Sequence, residues 1–382
     1  MIVESIGISL CISGLLFSAV RKTTLDQQKI QHTFKNIDYD AKGYAPTLLK
    51  TIKKDSYFEY VYNVPYGLID DDKLQPVLQK TLDKPVHVYF DGKLHVRVYH
   101  KKLKDRYNYD MFESLGGWTI PVGMAQEGVV YHDFDTIPHM VVAGSTTWGK
   151  TVFMKMLMTH LIENNPDGVE FYILDLKGGL AFHRYRNLKQ VKVVAGDYKE
   201  SAKALKMVKR DIKKDMDYLK SIDAENAKEG NLPTRKFIII DEAGELKPEK
   251  SMSDTDKEYA KDCQSIMNHI ARVAGQVGYK MIFGTQYPTK EILDSQIKAN
   301  AVARVAFRLV TSVQSGVAID QSGAETLEYP GRAIYKTVKE HIVQTPFITK
   351  FEMQEKLRRY EVNDDTTREE STTPRTDTIT IG

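Results

Sequence analysis

The sequence predicts an α/β protein: a parallel β-sheet with helices on both faces, preceded by a small α+β unit. Three observations carry that prediction. Six short runs that are apolar throughout are separated by helical stretches, the pattern of strands buried on both faces. A glycine-containing loop ends the first of these runs and opens a helix. Upstream, apolar and polar residues alternate on either side of Asp91-Gly92, as in a hairpin with one exposed face.

Taken from the N-terminus, residues 2–20 read IVESIGISLCISGLLFSAV, 19 residues with Glu4 as their one charge. That is close to the ~20 residues needed to cross a hydrocarbon core. Arg21 and Lys22 follow at once, and positive flanks stay on the cytoplasmic side. Residues 1–22 are therefore expected to form a single membrane-spanning anchor with the rest of the chain in the cytoplasm. A buried amphipathic helix is the alternative. A cleaved signal peptide fits poorly, because the segment opens with Glu4, without Lys or Arg, and no A-x-A site follows.

Residues 23–50 are polar and lysine-containing and read as a juxtamembrane linker or a short helix. Residues 51–122 form the small α+β domain: FEYVYNVPYGL and VHVYFDGKLHVRVYH supply strands, and DDKLQPVLQKTL a short helix. Residues 123–350 hold the six runs, HMVVA (139–143), VEFYILD (169–175), VKVVA (191–195), KFIIIDE (236–242), YKMIFGTQ (279–286) and ARVAFRLV (303–310). Residues 351–382 are a charged helix and a polar tail poor in large apolar residues, a composition that favours disorder.

Composition narrows function only slightly. The chain has 382 residues, 27% of them charged, and a formal net charge of +3, so any nucleic-acid contact must come from local patches. Two cysteines, Cys11 and Cys263, make neither a disulfide framework nor a metal-ligand spacing.

The chemistry lies at the ends of the apolar runs. Gly144-Ser145-Thr146-Thr147-Trp148-Gly149-Lys150-Thr151 fits G-x-x-x-x-G-K-[ST] between a strand and a helix. In that motif backbone amides curl around phosphate oxygens, Lys150 neutralises β- and γ-phosphate charge, and Thr151 offers a hydroxyl to Mg²⁺. The positive end of the following helix faces the same anion. About 90 residues on, Phe237-Ile238-Ile239-Ile240 ends in Asp241-Glu242. Asp241 is expected to hold the Mg²⁺ shell and Glu242 to orient or deprotonate water. Gly284-Thr285-Gln286 closes another run, and the Gln286 amide is a candidate γ-phosphate sensor. Asp175-Leu176-Lys177-Gly178-Gly179 is either a tight turn or places Asp175 near the nucleotide, at a strand's carboxyl end.

These pieces, in this order, resemble the motor domain of the FtsK/SpoIIIE DNA translocases. The resemblance runs from about residue 138 to 348, through HMVVAGSTTWGKT, FYILDLKGG, FIIIDEAGEL, GYKMIFGTQYPTKEIL, IKANAVARVAFRL and SGAETL. With PGRAIYKTV and VQTPFI, the apolar N-terminus and the small preceding domain, the chain looks most like the TcpA/ConQ-like conjugative coupling ATPases of Gram-positive mobile elements. The resemblance implies a RecA-like P-loop NTPase core, ATP and Mg²⁺ as cofactors, DNA as substrate, a homo-hexameric ring, and partners of the relaxase or conjugation-channel kind.

Departures from the family pattern fall at defined residues. Thr147 and Trp148 replace the usual Gly and Ser at the loop tip, where Trp148 either stacks on the nucleotide or packs locally. Ala274-Gly275-Gln276-Val277-Gly278 stands where relatives carry an arginine. Arg272, one helical turn earlier, is the candidate replacement, with Arg308 as the other. An arginine supplied in trans is worth about 10³–10⁵ in rate in other P-loop enzymes, so hydrolysis should be slow if neither serves.

One further stretch bears on DNA. In residues 198–221, Leu205, Val208, Ile212, Met216 and Leu219 form an apolar helical stripe, with Lys203, Lys206, Lys209, Arg210, Lys213 and Lys214 largely off it. A solvated basic face is the simpler reading and a DNA contact the other. The expected function is thus a membrane-anchored, ATP-driven DNA translocase acting in conjugative transfer. A chromosome or phage double-stranded DNA translocase is the alternative within that class. A nucleotide-gated membrane adaptor with weak ATPase activity is the alternative outside it, and a small-molecule kinase is a weaker third.

Overall fold

The computed structural model describes residues 25–69, 73–293 and 295–362. The expected anchor (1–22) and polar tail lie outside the described residues, apart from the tail's opening helix. Among the described residues, no helix is long and apolar enough to cross a membrane. The chain divides into two compact units, Met1–Leu103 and Lys104–Gly382.

In the first unit, helix α1 (25–36) precedes strands β1 (Thr47–Lys53) and β2 (Tyr57–Asn63). Helix α2 (Leu74–Leu82) and the hairpin β3 (Val86–Phe90) and β4 (Leu94–Tyr99) complete it. The antiparallel sheet has the order β1-β2-β4-β3. Ile30 and Phe34 of α1 pack with Leu74 and Leu78 of α2 onto Tyr60, Tyr62, Val96 and Val98. The hairpin and α2 lie where the alternation and the Asp91-Gly92 signal put them. Of the two readings of residues 23–50, the short helix forms as α1 and the linker reading is corrected: Ile30, Phe34 and Tyr39 are buried and β1 pairs with β2. These few large side chains, spread among lysines, supply one wall of the core.

The second unit begins with β5 (Tyr107–Asn108), β6 (Thr119–Ala125), β7 (Gly128–Asp133) and β8 (His139–Ala143). It continues through α3 (Lys150–Asn164), β9 (Val169–Leu174), β10 (Val191–Ala195), α4 (Tyr198–Ser221), β11 (Arg235–Ile240), α5 (Asp254–Val273) and β12 (Tyr279–Thr285). Then come α6 (Ser295–Asn300), β13 (Ala303–Phe307), α7 (Ser312–Ile319), β14 (Arg332–Lys336), β15 (Glu340–Gln344), β16 (Pro346–Phe347) and α8 (Lys350–Leu357).

Its ten-stranded sheet runs β10-β9-β11-β12-β8-β13-β14-β15-β6-β7. The six apolar runs are its first six strands, and they pair in parallel. The other four pair antiparallel, so the sheet is mixed and not wholly parallel as expected. The boundary drawn at residue 123 also moves, because β6 pairs with β7 and β15 inside this sheet. Along β11, Phe237 and Ile239 enter the core on the α3 face, while Ile238 and Ile240 enter the core under α4 and α5. Burial on both faces is why these runs lack a polar alternation. Asp197 caps α4, its side chain accepting from Glu200 N, and Thr349 with Glu352 forms a capping box on α8.

Candidate active site

The strand order brings the carboxyl ends of β8, β12 and β11 side by side, so loops distant in sequence meet at one edge. The loop after β8 is rooted on both neighbours. Gly144 N donates to Thr285 O at 3.1 Å and Ser145 N to Arg308 O at 2.9 Å. A Cβ on Gly144 would stand 2.7 Å from Cβ of Phe307, so this approach requires glycine. Thr147 and Gly149 have φ of 71° and 113°. The first is uncommon for a threonine and bends the loop over the start of α3.

Lys150 opens α3 and is 3% exposed. Its Nζ donates to the carbonyl of Asp241 and, at 3.0 Å, to Asp241 Oδ1. Thr151 follows it, half-buried, in the first turn. The amides of that turn have no acceptor within the helix, and the Ser145 hydroxyl is buried without a partner. Orphan donors, an ammonium, a hydroxyl and a carboxylate around one loop fit the phosphate chain of a magnesium nucleotide.

Glu242 is 5% exposed. Its Oε1 accepts from Thr285 Oγ1 at 2.9 Å and from Gln286 N at 3.1 Å. Its Oε2 accepts from Gln286 N at 2.9 Å and pairs with Lys177 Nζ at 3.4 Å. The Gln286 side chain reaches the other way, its Oε1 accepting from Thr146 Oγ1 at 3.2 Å. Gln286 thus ties the phosphate-loop motif to the carboxylate of Glu242.

Asp175 directly follows β9, next to β11, and is fully buried. Its Oδ2 accepts from Phe182 N at 2.9 Å and its Oδ1 has no hydrogen-bond partner, so the carboxylate closes the 176–182 turn. Lys155, one turn beyond Thr151, lies over the Phe182 ring at 5.3 Å. Burial holds its ammonium below the usual lysine range, against the opposing pull of Asp241.

The two candidate arginines are placed differently. Arg308 lies over the Trp148 ring at 4.8 Å and donates to Leu327 O at 3.0 Å. The Trp148 carbonyl accepts from Gly331 N at 3.0 Å, so the bulky loop tip is packed locally. Arg272 is exposed in the last turn of α5. That turn leads into the start of β12, seven residues and roughly 20 Å at the usual strand rise from Thr285. It does not join the phosphate loop of its own chain. On α4 the predicted stripe is buried at Leu205, Val208, Ile212 and Leu219 and half-buried at Met216, and the six basic residues face solvent. Lys206 pairs with Asp262 of α5 at 2.6 Å.

Thr285 and Lys177 were not singled out from the sequence, although both fall inside quoted motifs. Their roles depend on β9 and β12 flanking β11, and strand order is not written locally.

Residues 111–275 match the FtsK/SpoIIIE family. The DNA translocase FtsK of Chlorobaculum tepidum is 27% identical over 241 residues, which cover 58% of this chain and 29% of that protein. The FtsK of Streptococcus pneumoniae is 26% identical over 240 residues, 58% of this chain and 30% of that protein. The chain therefore spans about a third of the length of these relatives. Among solved structures, the pCW3 conjugation coupling protein TcpA, in a monomer form with ATPγS, superposes with a TM-score of 0.65 at 20% identity. That match covers 87% of this chain and 99% of the other, and it includes a mixed α/β P-loop fold. Lys150, Asp241 and Glu242 thus all lie within the segment that matches the FtsK/SpoIIIE family, on a mixed α/β P-loop fold.

Proposed function

We propose that this chain is an ATP-driven DNA translocase, anchored in the cell membrane through residues 1–22, that moves plasmid or integrative-element DNA in conjugative transfer. The observation that carries the reading is the convergence of Lys150, Asp241, Glu242 and Gln286 on one loop, with Gln286 joining Glu242 to Thr146. Bound Mg·ATP would supply the phosphoanhydride bond whose cleavage drives the cycle. Lys150 and the first-turn amides of α3 would bind the phosphates, while Thr151 and Asp241 would hold Mg²⁺. Glu242 takes the proton of the attacking water, and Gln286 reports the γ-phosphate to the loops around it.

DNA is the partner carried by the family, and a ring of six copies gives DNA a pore to cross. Arg272, distant from its own phosphate loop, is the residue we assign to a neighbouring subunit's site in that ring. The likeness to TcpA over nearly all of that chain supports the conjugative role, with a relaxase or channel protein as partner. The test is turnover by the full-length chain with and without double- and single-stranded DNA. Stimulation by DNA supports a motor. Nucleotide binding without turnover would make the chain an adaptor and refute the motor.

A further inference from the structure

Glu242 is the group assigned to activate water, yet both of its oxygens are engaged: a carboxylate offers about four lone-pair sites, and here four donor contacts approach it. Three come from Thr285 Oγ1 and Gln286 N at the end of β12, where Thr285 is fully buried and paired within the sheet. The fourth, from Lys177, is different. Lys177 stands on the turn after β9 with its side chain 38% exposed. Two glycines with φ of 79° and 70° follow it, and a Cβ at Gly178 would meet nothing within 4 Å. Leu180, on the same turn, is 86% exposed. The turn therefore presents one cation and one apolar side chain to the outside, at the edge of the sheet where the nucleotide loop lies. Asp175 fixes the turn's base, its carboxylate accepting from Phe182 N and its carbonyl from Gly179 N, so the Lys177 side chain can shift while β9 stays in place.

We propose that Lys177 is a positioning residue that holds Glu242 in a withdrawn state, and that the 176–181 turn is the element through which a nucleic-acid backbone releases it. A phosphodiester taking up the Lys177 ammonium removes the one mobile donor from Oε2. That oxygen is then free to accept from water. The proposal rests on the DNA translocase reading for its trigger, but the withdrawal itself does not depend on what the trigger is.

The experiment compares the full-length wild type with Lys177→Ala and Lys177→Arg, reading kcat and KM for ATP with and without double-stranded DNA. Removing the donor should raise kcat without DNA by roughly two- to fivefold, the population change that one partly exposed ion pair can hold back. KM for ATP should not move, and DNA should stimulate Lys177→Ala less than the wild type. Lys177→Arg, which keeps the cation, should behave as the wild type. A DNA-free kcat at or below wild type in Lys177→Ala overturns the proposal, because Lys177 would then support Glu242 in place of restraining it. If the wild type turns over ATP without any response to DNA, the translocase reading fails, and the DNA-free kcat of Lys177→Ala still decides the withdrawal. If the wild type shows no turnover at all, activity appearing in Lys177→Ala upholds the withdrawal and its absence refutes it.

Discussion

The ammonium of Lys150 lies 3.0 Å from Asp241 Oδ1, with both side chains almost wholly out of solvent. The two groups assigned to a nucleotide's phosphates and its metal ion thus neutralise each other. Breaking a buried pair from one side leaves the other charge uncompensated, at a cost of about 3–5 kcal/mol. Lys150→Ala should therefore lose stability without any nucleotide present, and nucleotide should no longer restore it. Urea unfolding with and without Mg·ATP reads both effects. Unchanged stability in the absence of nucleotide would refute the pairing as a structural element.

Glu242→Gln keeps the size of the side chain and one carbonyl oxygen for Thr285 and Gln286. It removes the proposed base. Loss of a general base costs about 10²–10⁴ in rate, so turnover should fall by that much while nucleotide still binds. Bound nucleotide stabilises the folded state by mass action, and a melting-temperature rise with Mg·ATP equal to that of the wild type would check retained binding. A fall of less than about tenfold would take the role of base away from Glu242.

How much of this was legible beforehand depended on the range of the signal. Each apolar run became a strand within a few residues of its expected ends, because burial on both faces marks every position. Gly144 to Thr151 could be read locally, since the loop's chemistry is written in consecutive residues. The place of the α1–β1 segment in the core was missed because Ile30, Phe34 and Tyr39 are isolated among polar residues, and only partners from β2, β4 and α2 make them a core. The antiparallel half of the sheet was missed because β14 and β15 alternate weakly and β6 carries Pro121 and Gly123. Lys177 and Thr285 were hidden for a third reason: their partner, Glu242, is reached through strand order.

Gly284 tests how tightly β11 and β12 set the carboxylates of Asp241 and Glu242. A Cβ there would stand 2.3 Å from Asp241 O and 2.7 Å from Ile240 O. Those atoms are backbone, so the strands themselves must part. Gly284→Ala should cost about 1–3 kcal/mol, as overpacking does, and turnover should fall further than stability alone explains, because Asp241 and Glu242 move with the strand. Gly316→Ala, within α7 and with nothing within 4 Å of the new methyl, is the matched control and should stabilise by about 0.5–1 kcal/mol. Equal behaviour of the two variants in denaturant melts would refute the close approach.

Three buried histidines make the second unit sensitive to acid. Burial pushes His132 down to about 3 and His139 and His160 down to about 4. Geometry agrees for His139, whose Nδ1 accepts from Met281 N at 3.0 Å and so carries no proton in the fold. The unfolded chain takes up protons on these rings near pH 6.5, while the folded one does not until about pH 4. Between those values the unfolded state binds more protons, so stability rises with pH; it is complete above pH 6.5 and is lost as pH falls toward 4. Each ring can contribute at most about 1.4 kcal/mol per pH unit in that window. Denaturant midpoints should therefore drop steadily from pH 7 to pH 4.5. His139→Gln, which keeps an acceptor for Met281 N but cannot titrate, should show a shallower drop. An equally steep drop in that variant would mean that His139 is not held neutral by its burial.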